Sequence, residues 1–150
     1  FGCDRTGRSL LPALGRKKEP LVILDFNPVV VERLIAEGRR AFYGDAVDKE
    51  ILDSLGLSRS RLVVSTLNSL EDDLTLLGEV KSLKNPPVAI FMASSPHNAL
   101  SLYEAGADYV VVPQVAAGEN IAHLLSGEID KKELSSLREK HFDRLAKERF

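Results

Sequence analysis

The residues best suited to chemistry gather at the start of the chain. Gly2-Cys3-Asp4-Arg5-Thr6-Gly7 places glycines at the outer positions of a G-x-G-x-x-G pattern and Asp4 at the middle one. In a strand-to-helix turn of this kind, residues without side chains let backbone N–H groups at the helix start approach a phosphate. Asp4 adds a Cβ and a negative charge at that point, so both sterics and Coulomb repulsion oppose a dinucleotide held in the usual way. Arg5 and Arg8 follow on the opening helical turn and are candidates to neutralise phosphate, against the alternative of solvated surface arginines. Asp25 ends an apolar run about twenty residues beyond the turn, where an acidic side chain accepts hydrogen bonds from ribose hydroxyls. Gly44-Asp45-Ala46 and Ser65-Thr66 close the next two apolar runs and would border an adenine and its ribose. Each has a plainer rival role: Asp25 capping the turn before Pro28, Asp45 ordering its loop, Ser65 and Thr66 as polar strand ends. Together, at one crevice, they favour an adenine nucleotide site.

Other chemistry is poorly supported. His97, His123 and His141 are scattered, without the close pairing or neighbouring carboxylates of a metal site. Cys3 stands at a helix N-terminus, which lowers a thiol pKa, but no base accompanies it and a small turn residue is the simpler role. Glu71-Asp72-Asp73 reads as negative charge at the start of a helix rather than as metal ligands. We expect no catalysis.

These residues need a scaffold, and short β-branched runs alternating with helical stretches supply one. Runs at 21–24, 41–43, 62–64, 88–92 and 109–112 predict strands, apolar enough throughout to be covered on both faces. Asn27-Pro28 and Ser95-Pro96 predict N-caps with proline at the first helical position, and Asp48 and Ser69 predict two further caps. Gly38, Gly56 and Gly106 predict helix stops. The expected fold is a Rossmann-like, doubly wound α/β domain with a parallel sheet, residues 1–127. Phe1-Gly2 reads as the end of a strand whose other residues would lie upstream, in the centre of the 3-2-1-4-5-6 order, within a longer polypeptide.

After residue 112, Pro113 is expected to end the last strand and a helix to run from about 118 to 125, with Gly127 separating it from a second element, 128–150. There Leu134, Leu137, His141, Phe142 and Leu145 share one helical face, an amphipathic surface suited to a partner or a crossover.

The chain has 150 residues, 44% of them hydrophobic and 28% charged, enough for one globular core. Twenty Lys and Arg against 22 Asp and Glu give a net charge of −2, so no basic field draws it to nucleic acid. A single cysteine excludes an internal disulfide and fits a reducing compartment.

The Gly2–Gly7 turn, the segment ending in Asp25, Tyr43-Gly44-Asp45-Ala46, Leu55-Gly56-Leu57, the run 61–65 and Tyr103-Glu104-Ala105-Gly106-Ala107-Asp108-Tyr109, continued to Pro113, together resemble the TrkA-N domain. This is the nucleotide-binding half of the regulator-of-potassium-conductance (RCK) family, and the likeness is greatest to the cytosolic domain of Kef-type monovalent cation:proton antiporters. The resemblance implies a non-catalytic homodimer at the cytoplasmic face of the membrane, gating a potassium transporter or channel in the same chain or as a separate subunit. It implies that Gly2, Arg5 and Gly7 face phosphate, Asp25 the ribose, and Asp45, Ser65 and Thr66 the adenosine end. Asp4 departs from the family's glycine, so AMP is the first candidate, with NAD(H) or ATP as alternatives. Two rival readings are a ligand-free dimer scaffold of the same transporter class and a fragment of an NAD-dependent oxidoreductase.

Overall fold

The structure, a computed structural model, describes residues 1–15, 20–126 and 130–147. Five strands alternate with helices: α1 (Arg5–Leu14), β1 (Ile23–Asp25), α2 (Pro28–Ala36), β2 (Ala41–Tyr43), α3 (Lys49–Ser54), β3 (Leu62–Ser65), α4 (Leu70–Ser82), β4 (Val88–Met92), α5 (Pro96–Glu104) and β5 (Tyr109–Val111). A 3₁₀ turn, Leu57–Arg59, precedes β3, and two further helices follow β5: α6 (Pro113–Leu125) and α7 (Lys131–Lys147). Among the described residues all pairing is parallel, in a two-stranded sheet β1-β2 and a three-stranded sheet β3-β4-β5.

The helix starts follow from their caps. Asn27 Oδ1 accepts from the Val29 amide, Asp48 from Glu50 and Ile51, Ser69 from Asp72 and Ser95 from Asn98. Each satisfies amides that the first helical turn leaves unpaired. Two bounds differ from expectation. The ladder of β1 begins at Ile23, in register with Ala41, rather than at 21. Helix α6 begins at Pro113, five residues early, since a proline with no N–H suits a first helical position and Gly118 is tolerated inside. The expected break at Gly127 lies outside the described residues.

Phe1 and Gly2 bridge the two sheets. The Phe1 nitrogen donates to the Val64 carbonyl at 2.8 Å, the Thr66 amide to the Phe1 carbonyl at 2.9 Å, and the Gly2 amide to the Leu24 carbonyl at 2.9 Å. On the line they prolong, a slot of about 110 Å³ runs between 21–23 and 62–64, floored by Leu10, Leu11 and Leu14 of α1. One core, around Phe91, Leu76, Leu77, Val80 and Leu102, joins the three-stranded sheet to α4 and α5; a second packs Leu11, Val30, Val31 and Leu34 against β1 and β2. By its contacts the chain forms two compact units, Phe1–Pro113 and Gln114–Phe150. In the second unit, α6 has no buried residue, and Leu134, Leu137, Phe142 and Leu145 of α7 are exposed.

Candidate functional site

The carboxyl ends of β1 and β3 meet at the glycine turn, the place where an open α/β sheet holds ligands. Gly2 has φ +73°, a left-handed conformation that side chains disfavour. Gly7, in the first turn of α1, packs directly on Gly2: a Cβ at Gly7 would lie 2.0 Å from the Gly2 carbonyl oxygen. Thr66 Oγ1 donates to that same carbonyl at 2.8 Å. The turn is thus held at close quarters from two sides, by α1 and by the end of β3.

Asp25 is 5% exposed, and both its oxygens are engaged: Oδ2 accepts from the Cys3 amide at 2.6 Å and Oδ1 from the Asn27 amide at 2.8 Å. The carboxylate therefore clamps the glycine turn to the turn before α2, the capping alternative seen in the sequence extended to a second loop.

Asp4 and Arg5 stand at the head of α1. Asp4 occupies the N-cap position but makes no side-chain cap bond, and its carboxylate lies 3.9 Å from Arg5 Nε with both side chains largely exposed. The first-turn amides of α1 are left without a side-chain acceptor there, and Arg5 partly offsets the Asp4 charge. Arg8 instead pairs with Glu37 at the end of α2, Nη2 to Oε1 at 2.6 Å. Asp45 is exposed, and its Oδ1 accepts from the Val47 amide at 3.1 Å, ordering the loop after β2. Gly44, just before it, is buried against Ile51 and Leu24.

Cys3 is buried, as suits a small turn residue, and burial pushes its thiol pKa up. Ser65 is 1% exposed, and its hydroxyl donates inward to Asp73 Oδ1 at 2.5 Å rather than toward the crevice. Asp73 is 2% exposed, and burial raises its pKa to about 6. Its position on the apolar period 70, 73, 74, 77, 80 of α4 was the signal in the sequence, masked by the neighbouring Glu71 and Asp72. Among the described residues no cluster of three His, Cys, Asp or Glu could hold a metal, and no helix is long and apolar enough to cross a membrane.

The TrkA-N domain family model matches residues 1–113. The chain belongs to the TrkA-N domain family. Among curated relatives, a putative K(+) efflux antiporter KefB of Alkalimonas amylolytica is 26% identical over 117 residues, 78% of this chain and 18% of that protein. The glutathione-regulated potassium-efflux system protein KefC of Escherichia coli O139:H28 is 34% identical over 76 residues, 51% of this chain and 12% of that protein. The chain therefore spans less than a fifth of these relatives. Among solved structures, the TrkA-N domain of the Escherichia coli inner membrane protein ybaL has a TM-score of 0.77 at 22% identity, covering 83% of this chain and 93% of that one. The Shewanella denitrificans Kef C-terminal domain in AMP-bound form has a TM-score of 0.71 at 19% identity, covering 97% and 90%. These two establish the Rossmann-like TrkA-N fold. The GsuK channel bound to NAD has a TM-score of 0.66 at 27% identity, covering 75% and 20%.

Proposed function

We propose that this TrkA-N domain is the cytoplasmic regulatory domain of a potassium or other monovalent cation transporter or channel, and that it senses an adenine nucleotide and gates transport as a homodimer. The observation that carries the reading is the glycine turn, fixed by Asp25 and Thr66 at the ends of β1 and β3 beneath the uncapped start of α1. A helix start with free amides favours an anion by hydrogen bonding and by its dipole. Gly2, Arg5 and Gly7 take the phosphate side, Asp25 the ribose, and Asp45 with Thr66 the adenosine end. Potassium-efflux relatives and a channel bound to NAD support the same direction.

AMP is the first candidate ligand. Asp4 is exposed at the turn, and its charge opposes a second phosphate more than it opposes one. The same residue favours the second reading, a dimer scaffold that has lost its ligand.

Thermal denaturation against AMP, ADP, ATP, NAD, NADH and adenosine tests the choice. Selective binding stabilises the fold by about 2.7 kcal/mol at a hundredfold excess over Kd. We expect AMP to raise Tm, Arg5→Ala to shrink that rise while leaving any adenosine effect unchanged, and Asp4→Gly to extend binding to NAD. Arg5 and Asp4 suit this test because both are exposed, whereas Asp25→Ala would also unclamp two turns. No shift with any nucleotide, in the wild type or in Asp4→Gly, would overturn the sensor and leave the scaffold.

A further inference from the structure

Asp73 is an acid on the apolar face of α4, 2% exposed, with its Oδ1 taking the Ser65 hydroxyl proton donor at 2.5 Å. Ser65 ends β3, and its Oγ also accepts from the Leu67 amide at 3.4 Å. Thr66, the next residue, holds the glycine turn twice: its amide donates to the Phe1 carbonyl at 2.9 Å and its hydroxyl to the Gly2 carbonyl at 2.8 Å. A continuous path of covalent and hydrogen bonds therefore runs from a carboxyl in the core to Gly2.

Few charges face that carboxyl. Asp72, on the same helix, opposes its ionisation, and the hydrogen bond from Ser65 favours it. From β4, α5 and the loop between them, Met92, Ala93, Ser94, Asn98 and Leu102 line the small cavity beside it, and none of them is charged. Burial is the largest influence and brings the carboxyl to about 6, within the range where a cell's pH can change its charge.

We propose that Asp73 is a positioning residue that makes the glycine turn responsive to proton concentration, acting through Ser65 and Thr66. With Asp73 ionised, the Ser65 hydroxyl donates into the carboxylate, and its oxygen is free to accept from Leu67. When Asp73 takes up one proton from solvent, Oδ1 can still accept from the Ser65 hydroxyl, but the bond is no longer charge-assisted and weakens. The Ser65 contact then lengthens, and the end of β3 that holds Gly2 shifts with it. No other bond is made or broken. The consequence for ligand rests on the function proposed above: the turn sets how amides are presented to phosphate, so AMP affinity follows the charge of Asp73.

The unliganded chain tests the core of this inference. The backbone amide NMR signals of Gly2 and Thr66 are followed from about pH 5 to about pH 7.5, with the Asp73 side-chain carbon signal alongside. In the wild type, all three are expected to inflect together near pH 6. In Asp73→Asn the amide inflection disappears; in Ser65→Ala the Asp73 carbon still titrates but Gly2 does not follow. A Gly2 amide that stays flat in the wild type, or titrates equally in Asp73→Asn, overturns the proposal. Should Asp73→Asn fail to fold, Ser65→Ala decides by the same criterion. A second arm compares AMP affinity at about pH 5.5 and about pH 7.5; because the phosphate of AMP itself loses a proton near pH 6, each ratio is set against that of Asp73→Asn. A several-fold difference between the two ratios is expected, and equal ratios overturn the coupling to ligand. Absence of AMP binding at either pH defeats the nucleotide reading and leaves the amide titration to judge the inference.

Discussion

A methyl group added at Gly7 would sit 2.0 Å from the Gly2 carbonyl oxygen and 3.0 Å from Thr66 Oγ1. Backbone, not a flexible side chain, is in the way, so the helix start or the turn has to move. Gly78, on the exposed side of α4, meets nothing within 4 Å. Gly7→Ala is therefore expected to destabilise by about 1–3 kcal/mol or more, and Gly78→Ala to stabilise by about 0.5–1 kcal/mol through the unfolded chain. Urea denaturation of both variants checks this, and a harmless Gly7→Ala would contradict the close approach described here. The importance of Gly2 and Gly7 was legible from spacing alone, because a tight turn needs specific residues at fixed positions. The clamp made by Asp25 was only half legible: Asn27 lies two residues away and is suggested by a turn, but Cys3 is 22 residues distant and comes near only in the folded sheet. Ser65 misled for a similar reason. Its polarity marked a strand end, and nothing local said that its partner would be a buried acid eight residues on.

At the scale of elements, the caps carried most of what the sequence could tell. Asn27 is a representative case, since it accepts from Val29 at 3.0 Å while Pro28 fixes the first helical position of α2. Asn27→Ala is expected to cost about 1 kcal/mol and to speed hydrogen exchange in the first turn of α2 before that of α5. Equal protection of α2 in wild type and variant would show that Pro28 alone starts the helix. What escaped the sequence was of a different kind. The early start of α6 at Pro113 could not be separated from a strand stop, because proline serves both purposes. The 3₁₀ turn at Leu57–Arg59 is too short to have a period. One of the segments that carry the family resemblance, 103–113, turns out to hold the fold together. Asp108 accepts from the Ala89 amide at 2.7 Å, a bond that keeps its carboxyl below the ordinary range, and the Val110 amide donates to the Tyr103 hydroxyl at 3.0 Å. A signature can identify a family through its joints rather than through its site.

For the molecule as a whole, the question is what covers the second unit. Helix α6 has no buried residue, with Ile121 57% and Leu125 61% exposed, and α7 leaves Leu134, Leu137, Phe142 and Leu145 between 40% and 69% exposed. The sequence made the α7 stripe legible by its period, yet period alone does not say whether such a face packs on its own domain or on another chain. In the homodimer proposed above, a second copy would satisfy an identical face by symmetry. The four side chains of α7, half exposed and counted on both copies, would gain about 6–12 kcal/mol on full burial. Association costs about 4–15 kcal/mol, so such a dimer is close to balance from α7 alone and needs α6 to be firm. The double substitution Leu137→Asp and Leu145→Asp, placing charges in that face, is then expected to give a folded monomer. Light scattering reads the mass and circular dichroism the fold. A variant that remains dimeric would remove α7 from the interface, and one that unfolds would mean that the stripe belongs to the chain's own core. A monomeric variant that still binds AMP with wild-type affinity would separate the proposed site, built within the first unit, from the proposed dimer.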